Sequence, residues 1–417
     1  MLTSQSARQA AERIQAAITV GPPLRVPLAT ALGSVLAEPI VSPINLPFWT
    51  NSAMDGYAVR ADDVRGASTA TPKRLAVIEQ IPAGAFPART IGAGQSARIF
   101  TGAPLPEGAD SVIRQEDTDL GNEVVTIVRD RDCGVNVRRA GEDLTAGARV
   151  FEAGTALGPA HLGLLASLAV AHPVVYRRPR VAILGSGDEV VDVDQPDLIL
   201  AGAKIASSNS HTVAALVRQA GGEPVNLGIA ADTPESVRRH LESGLDCDLI
   251  VTTAGISVGD HDHLRGVLQS MGAQIDFWKL RIRPGAPVGF GMLGNVPWIG
   301  LPGNPVSAMV TFELFVRPAI RRMMGQPLPF RRAVPVITAE PIRLGPTLQH
   351  FLRVVVTGDG PEATASLTGP QGSGILTSMV TATALLIVPE GLHDVAAGTR
   401  LEAIRLDDPV HVAAPPF

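Results

Sequence analysis

The spacing of apolar positions changes period several times along the chain, and each change marks a new element. Over residues 7–18, Ala10, Ile14, Ala17 and Ile18 recur at helical spacing behind the cap residues Ser4 and Ser6, which predicts a surface helix. Prolines at 22, 23, 27, 39, 43 and 47 then exclude a long helix and predict extended chain, with residues 29–37 the one helical stretch. Short strand patterns at residues 77–81, 112–113 and 123–128, separated by polar turns, predict a small β-rich domain. Helical spacing returns over residues 159–171. Arg177, Arg178 and Arg180 follow it as a charge cluster expected at a solvated boundary.

From residue 180 the pattern alternates strand and helix. Strands are predicted at residues 181–184, 225–229, 249–251, 275–280, 288–291 and 298–301. One helix is capped by Asn209 or Ser210 and ends at Gly221-Gly222, and the next is capped by Asp232 or Thr233 with Pro234 in its first turn. A third runs from residue 262 to Met271, and a fourth from Val306 to Arg322 with Asn304 as cap and Pro305 at its first position. The alternation predicts a doubly wound α/β domain. Beyond Arg332, short strands at residues 334–338, 352–357, 365–367, 385–388 and 401–404 between Gly/Pro turns predict a small antiparallel barrel or sandwich. The expected fold class is multidomain α/β plus β. Its parts are an elongated N-terminal linker module (residues 1–47 and 144–179), an inserted small β-rich domain (48–143), the α/β domain (180–326) and a C-terminal β-barrel (327–417).

Composition narrows the partners. A chain of 417 residues exceeds one core, at roughly 100 to 200 residues per domain. Hydrophobic residues make up 45% but aromatics only 4%, which predicts aliphatic cores and few platforms for stacking nucleic-acid bases. A net charge of -5 gives no general attraction to nucleic acid or to anionic membranes. Cys133 and Cys247 form neither a zinc quartet nor a disulfide framework, and the apolar run at residues 162–171 is too short to span a bilayer, so a cytoplasmic protein is expected.

The candidate chemistry sits in the loops. In DLIVTTAGISVGDHD, residues 248–262, a buried-strand pattern stops at Thr252; Ala254, Gly255 and Gly259 then leave backbone amides approachable, and Asp260 and Asp262 place carboxylates at the rim. Bare amides beside carboxylates point to phosphate plus a divalent metal. The GxG of Gly185-Ser186-Gly187, ahead of Asp188 and Glu189, permits the same close approach, but no third glycine stands where a dinucleotide fingerprint needs one, so NAD is disfavoured. Pro302-Gly303-Asn304-Pro305 opens a helix whose N-terminus suits an anion, with Lys279, Arg281 and Arg283 adding positive charge nearby. The loops NSAMDGYAV, TGAPLPEGAD and RRAGED carry Asp55, Thr101 and Asp143 on the small β-rich domain. Gln371-Gly372-Ser373-Gly374 is a flexible loop of the C-terminal domain. His261 and His263 lack a third ligand at suitable spacing, so a zinc site is disfavoured and both are expected to be solvated.

NSAMDGYAV, TGAPLPEGAD, RRAGED, GSGDE, GISVGDHD, WKLRIRPGAP, LPGNPVSA and GPQGSGILTSM, in this order over nearly the whole chain, resemble the molybdopterin molybdenumtransferase family, the MoeA type that includes the gephyrin E-domain. The resemblance implies that the α/β domain binds molybdopterin and that the protein inserts molybdenum from molybdate into adenylylated molybdopterin, with Mg²⁺ and release of AMP. It implies a homodimer whose site is shared between subunits, with a molybdopterin adenylyltransferase and a molybdoenzyme as protein partners. Carried over residue by residue, it implies catalytic roles for Asp55, Thr101, Asp143, Glu189, Asp232 and Asp262, with Glu189 and Asp262 as metal ligands. The substrate-binding set becomes Gly185, Ser186, Gly187, Gly255, Ser257, Gly259, Lys279, Arg283, Pro302, Gly303, Asn304, Pro305 and Ser373. Three positions depart from the family pattern: Ala254 replaces a usual glycine, Ser207 a usual aspartate, and Ala286 the usual lysine of PGKP. The lost lysine removes one cation from the molybdate region, and Arg281 compensates only if its side chain points inward. Two other readings stand beside this one: a catalytically weak paralogue acting as a molybdopterin-binding or scaffold protein, and a molybdopterin adenylyltransferase, which resembles only the α/β domain.

Overall fold

The computed structural model describes residues 5–256, 263–345 and 347–417. The chain divides into two compact units, one of Met1–Glu38, Ala153–Gly163 and Ala171–Phe417, the other of Pro39–Glu152 and Leu164–Val170.

The smaller unit is built on a five-stranded sheet in the order Ser111–Arg114, Gly56–Val59, Gln95–Ile99, Lys73–Ile81, Val124–Ile127. Both faces are covered, with Tyr57, Val59, Leu75, Ile113 and Val125 in one apolar cluster and Ala58, Ile81, Ala97, Ile99 and Val112 in another. Strand Gly56–Val59 is therefore buried at every position. A Cβ at residue 56 would lie 1.9 Å from the Ile113 carbonyl oxygen, so only glycine lets the chain after Asp55 enter the sheet this closely.

In the larger unit, helix Ala7–Ala17 starts at Ser6, whose hydroxyl accepts from the Gln9 N–H while the Gln9 side chain accepts from the Ser6 N–H. The helix expected over residues 29–37 is absent. A single 3₁₀ turn, Leu28–Thr30, is cut off at Gly33 (φ +75°), and Val35 and Leu36 bridge to Ala156 and Val175 instead. The extended pairing wins because it buries Val35 and Leu36 completely.

The α/β domain carries a six-stranded sheet in the order Glu223–Ala230, Arg180–Ser186, Leu249–Thr253, Val296–Leu301, Gly289–Leu293, Gln274–Phe277. The first four strands are parallel, and Gly289–Leu293 runs antiparallel to its two neighbours. The strand order reverses between Arg180–Ser186 and Leu249–Thr253, which places a ligand crevice at their carboxyl ends. The strand expected over residues 275–280 stops at Phe277: Trp278 turns to stack on Trp298 at 5.3 Å, and Ile282–Arg283 leaves to pair with Gln349 and His350. The arginine cluster is partly exposed, as expected, and also acts as a clamp. Arg177 holds the Asp248 carboxylate at 3.0 and 2.6 Å, the Arg180 N–H donates to it at 2.7 Å, and Arg178 donates to the Leu32 carbonyl.

The helix expected over residues 306–322 is interrupted. Pro305–Thr311 and Arg317–Met323 are α-helical, but Phe312–Val316 is a π turn. Pro318 has no N–H for the Leu314 carbonyl and its ring would crowd it, and the Thr311 hydroxyl bonds back to Ser307 O at 2.7 Å, so widening the turn relieves both strains. Strands Gln349–Thr357, Thr364–Leu367, Ala333–Thr338, Arg400–Arg405 and Ala384–Val388 pair in that order, and the last pairs back with the first, closing a five-stranded barrel. No helix among the described residues is long and apolar enough to cross a membrane.

Candidate functional site

The crevice at the switch point is a cavity of about 590 Å³. Gly185, Ser186, Glu189, Gly255, Pro302, Gly303, Asn304 and Pro305, all expected from the sequence, line it together with Ser207, Asn209 and Ala254. Two buried indoles hold the chain on either side of Thr253 and Ala254, because Trp298 Nε1 donates to Thr252 Oγ1 and Trp278 Nε1 to the Ile256 carbonyl, both at 3.1 Å. Gly187 has φ +131°, and a Cβ there would meet the Glu189 carboxylate at 2.7 Å, so the carboxylate folds over a position that only glycine can occupy.

Asp232 lines a small adjoining cavity with Ser186, Thr252, Gly255 and His263. Its helix, Pro234–Ser243, is capped by Thr233, whose hydroxyl accepts from Ser236 N–H, so Asp232 is left to other work. The Asp188 N–H donates to Asp232 Oδ2 at 3.2 Å and the Asp232 N–H to Asp188 Oδ1 at 3.0 Å. Sequence reasoning missed Asp188; its place beside Glu189 in GSGDE was the available signal. The two carboxylates, with Glu189 on the same loop, offer oxygen donors of the kind Mg²⁺ takes, and Mg²⁺ commonly uses one or two carboxylates together with substrate phosphates. No three His, Cys, Asp or Glu side chains among the described residues gather into a complete protein cage.

Asn209 does not cap its helix. Ser207 occupies that position with its hydroxyl bonded to Ser210 at 2.6 Å, and Asn209 Nδ2 instead donates to the Gly303 carbonyl at 2.7 Å, tying the helix Ser208–Ala220 to the 302–305 loop. Asn304 stands at the cap of Pro305–Thr311 without a side-chain capping bond, and the Val306 N–H donates to the Ser373 carbonyl at 3.1 Å. The chain thus already occupies one amide of the N-terminus expected to bind an anion. That contact also places Ser373, and Arg353 holds its loop: the buried guanidinium collects the carbonyls of Pro370, Gln371 and Gly372.

Lys279 and Arg283 are exposed. Arg281 is committed elsewhere, its Nε lying 2.9 Å from Glu390 Oε1. Ser257, Gly259, His261 and Asp262 lie outside the described residues.

In the smaller unit, Asp55 Oδ1 accepts both the N–H and the hydroxyl of Thr101 at 2.8 Å. The Thr101 N–H first, then its hydroxyl, hold the Asp55 carboxyl below its ordinary value against the opposing effect of burial, and the Arg98 charge adds to them. Arg98, unforeseen from the sequence, sits 4.9 Å from the Tyr57 ring and 5.2 Å from the Phe100 ring, with Gln115 Oε1 at 2.7 Å. Pairing strand Gly56–Val59 with Gln95–Ile99 would have found it, since Tyr57 faces Arg98 in register. Asp143 is exposed on a separate loop pinned by its N–H to the Leu46 carbonyl at 2.9 Å. Among the described residues no hydrogen bond joins it to Asp55 or Thr101.

A ligand cavity at the switch point of a mixed α/β sheet, carried with a closed β-barrel and a separate small β unit, defines a multidomain α/β ligand-binding protein of the doubly wound class. Residues 5–169 match the MoeA N-terminal region (domain I and II), residues 182–322 a probable molybdopterin binding domain, and residues 335–406 the MoeA C-terminal region (domain IV). Molybdopterin molybdenumtransferase 2 of Mycobacterium tuberculosis is 38% identical over 91% of this chain and 94% of its own, and the Bacillus subtilis molybdopterin molybdenumtransferase 33% over 91% and 89%. The crystal structure of the molybdopterin biosynthesis moeA protein from Pyrococcus horikoshii superposes with a TM-score of 0.79 at 28% identity, covering 97% of this chain and 100% of that one. The chain belongs to the molybdopterin molybdenumtransferase family, a family of transferases.

Proposed function

We propose that the protein inserts molybdenum from molybdate into adenylylated molybdopterin, with Mg²⁺ and release of AMP, as a step of molybdenum cofactor biosynthesis. The observation that carries this reading is the cavity at the switch point, where Glu189, the Gly185-Ser186 backbone and the 302–305 loop converge. Cleaving a phosphoanhydride requires the charge of its phosphate oxygens to be neutralised, and a tetrahedral dianion requires cations and free N–H groups. Glu189 and Asp262 would hold Mg²⁺, with Asp232 alongside; when bound, the ion supplies Lewis-acid neutralisation across phosphate oxygens. Gly185, Gly187 and Gly255 let backbone amides approach the phosphates, and Lys279 and Arg283 supply the positive charge for molybdate. Ser186, Ser257, Ser373 and Asn304 offer hydroxyl and amide contacts. In this reading Asp55, Thr101 and Asp143 serve the same reaction from the small β domain.

The proposal extends to a cytoplasmic homodimer of four-domain subunits, with the boundaries given above, that works beside an adenylyltransferase and a molybdoenzyme. The scaffold reading has one observation in its favour: Ala286 lacks the family's lysine and Arg281 is paired with Glu390. Mixing the purified protein with adenylylated molybdopterin, Mg²⁺ and molybdate and measuring AMP separates the two. The enzyme reading expects molybdate-dependent AMP release that Glu189→Gln or Asp262→Asn abolishes without unfolding the protein. A folded wild type that binds molybdopterin but releases no AMP would favour the scaffold.

A further inference from the structure

The chain has eleven Phe, two Tyr and three Trp. In so aromatic-poor a protein, a cluster of exposed rings needs a reason. Phe48, Trp49 and Phe86 form such a cluster on the smaller unit, 60%, 36% and 66% exposed. Their rings stack edge to face, with centroids 5.6 Å apart between Phe48 and Trp49 and 5.0 Å between Trp49 and Phe86. The other two indoles, Trp278 and Trp298, are buried.

The ladder is held rigidly from behind. Thr50 takes the Leu105 N–H on its carbonyl at 2.9 Å and the Ala140 N–H on its hydroxyl at 3.2 Å, and Asn51 Nδ2 donates to the Trp49 carbonyl. The loop that carries Phe86 is fastened by Glu79, whose carboxylate accepts from the N–H groups of Ala88 and Arg89 at 2.8 and 3.1 Å. At its polar end the indole Nε1 of Trp49 lies 3.5 Å from the Gly102 carbonyl. Gly102 follows Thr101, the partner of Asp55, so the rings lead onto the Asp55–Thr101 pair.

We propose that Phe48, Trp49 and Phe86 form a stacking platform for the pterin ring of the substrate, an inference that rests on the molybdopterin chemistry proposed above. Size argues against a macromolecule: an aromatic side chain presents about 150 to 250 Å², so these exposures leave roughly 300 Å², well short of the ~800 Å² per partner that a standard interface needs. A flat heterocycle fits that area and is rewarded by ring faces. The polar end selects which heterocycle. Gly102 O accepts, and the second oxygen of Asp55 accepts no hydrogen bond among the described residues. A pterin offers its amino group and the one adjacent ring N–H to such a rim, whereas adenine offers its amino group alone.

The test uses the full-length chain and 6-hydroxymethylpterin, whose own fluorescence anisotropy reports binding without turnover, so failure of the transfer reaction leaves it readable. Trp49→Ala and Phe86→Ala should each weaken pterin binding about tenfold or more, and Trp49→Phe should recover most of the loss. AMP should not displace the pterin from this platform. Exposed rings leave the fold intact on substitution, which circular dichroism checks. Unchanged pterin affinity in both alanine variants overturns the platform. So does displacement by AMP, which would assign the rings to adenine, or a lower sedimentation mass of the variants with pterin affinity unchanged, which would assign them to a second copy of the chain.

Discussion

Asp188 and Asp232 hold each other through reciprocal bonds, each backbone N–H donating to the other's carboxylate at 3.2 and 3.0 Å. The carboxylate proposed to work in the site is thus aimed by a neighbour on a different strand end. Asp188 is itself placed by Lys204, whose Nζ donates to its carbonyl at 2.5 Å. Asp188→Ala keeps the backbone N–H on the Asp232 carboxylate but removes the acceptor of the Asp232 N–H, so it should loosen the chain at Asp232 and lower the rate of AMP release by roughly tenfold, the scale of one hydrogen bond to a charged group. Asp188→Asn keeps an acceptor oxygen and should retain most of the rate. Equal losses in both variants would show that the charge of Asp188, not its hold on the Asp232 N–H, matters.

Ala254 adopts φ +77°, the left-handed region, at the position where the resemblance expects glycine. The conformation costs about 1–2 kcal/mol for a residue with a Cβ, and glycine in the unfolded chain gives back about 0.4–1 kcal/mol, so Ala254→Gly should stabilise the protein by about 0.5 kcal/mol. Urea unfolding should show a higher midpoint at unchanged slope. A lower midpoint would mean that the Ala254 methyl, which a Cβ on Gly303 would meet at 3.2 Å, contributes packing that outweighs the strain.

The large elements were legible because their signals are local and periodic. The Thr233 and Pro234 start, the buried run before Thr252 and the five barrel strands follow from spacing alone. Where tertiary pairing overrode propensity, spacing misled: residues 29–37 gave up a helix to bury Val35 and Leu36 in bridges, and Trp278 left its strand to stack on Trp298. The π turn was encoded in Pro318 and Thr311, whose consequence depends on each other and not on period. Of the cavity-lining loops, the 302–305 segment was expected from its residue types and Glu189 from the resemblance. Asp188, Arg98 and Asn209 were not, because their roles come from partners distant in sequence: Asp232, Tyr57 with Phe100, and Gly303.

His411 should make the protein acid-sensitive. Burial first, then the charge of Arg321, lowers its pKa from 6.5 to about 4, with Arg331 and Arg317 adding to the effect and the Pro409 carbonyl opposing it. Above pH 6.5 the ring is neutral whether the chain is folded or not. Between pH 6.5 and about 4 the unfolded chain takes up a proton that the folded chain refuses, so stability falls as pH drops through that window and no further below it. Urea midpoints at the two ends of the window should differ more for the wild type than for His411→Asn. An equal difference in both would remove His411 from the account.

The lysine that the resemblance expects in place of Ala286 is open to a direct test, because Arg281 is paired with Glu390. Arg281 is bound to Glu390 at 2.9 Å, both side chains being about two-fifths exposed, and an exposed pair of this kind contributes about 0–1 kcal/mol. With its Nε on Glu390, Arg281 is aimed at that carboxylate, and Arg281→Ala should leave the half-saturating molybdate concentration within about twofold of the wild type. A lysine at residue 286 would bring a new ammonium to the segment that carries Arg283, and a charge-assisted hydrogen bond to an anion is worth roughly 1.5 to 3 kcal/mol. Ala286→Lys should lower the half-saturating molybdate concentration by about tenfold or more while leaving the affinity for the adenylylated pterin unchanged. Ala286 is only partly buried, and its carbonyl, which accepts the Leu280 N–H at 2.8 Å, is kept by any residue, so the longer side chain can be accommodated without losing the turn. Molybdate titrations of the three proteins decide the matter: no gain from the lysine together with a large loss at Arg281 would place Arg281 on the anion and refute the assignment of Ala286 as the missing cation.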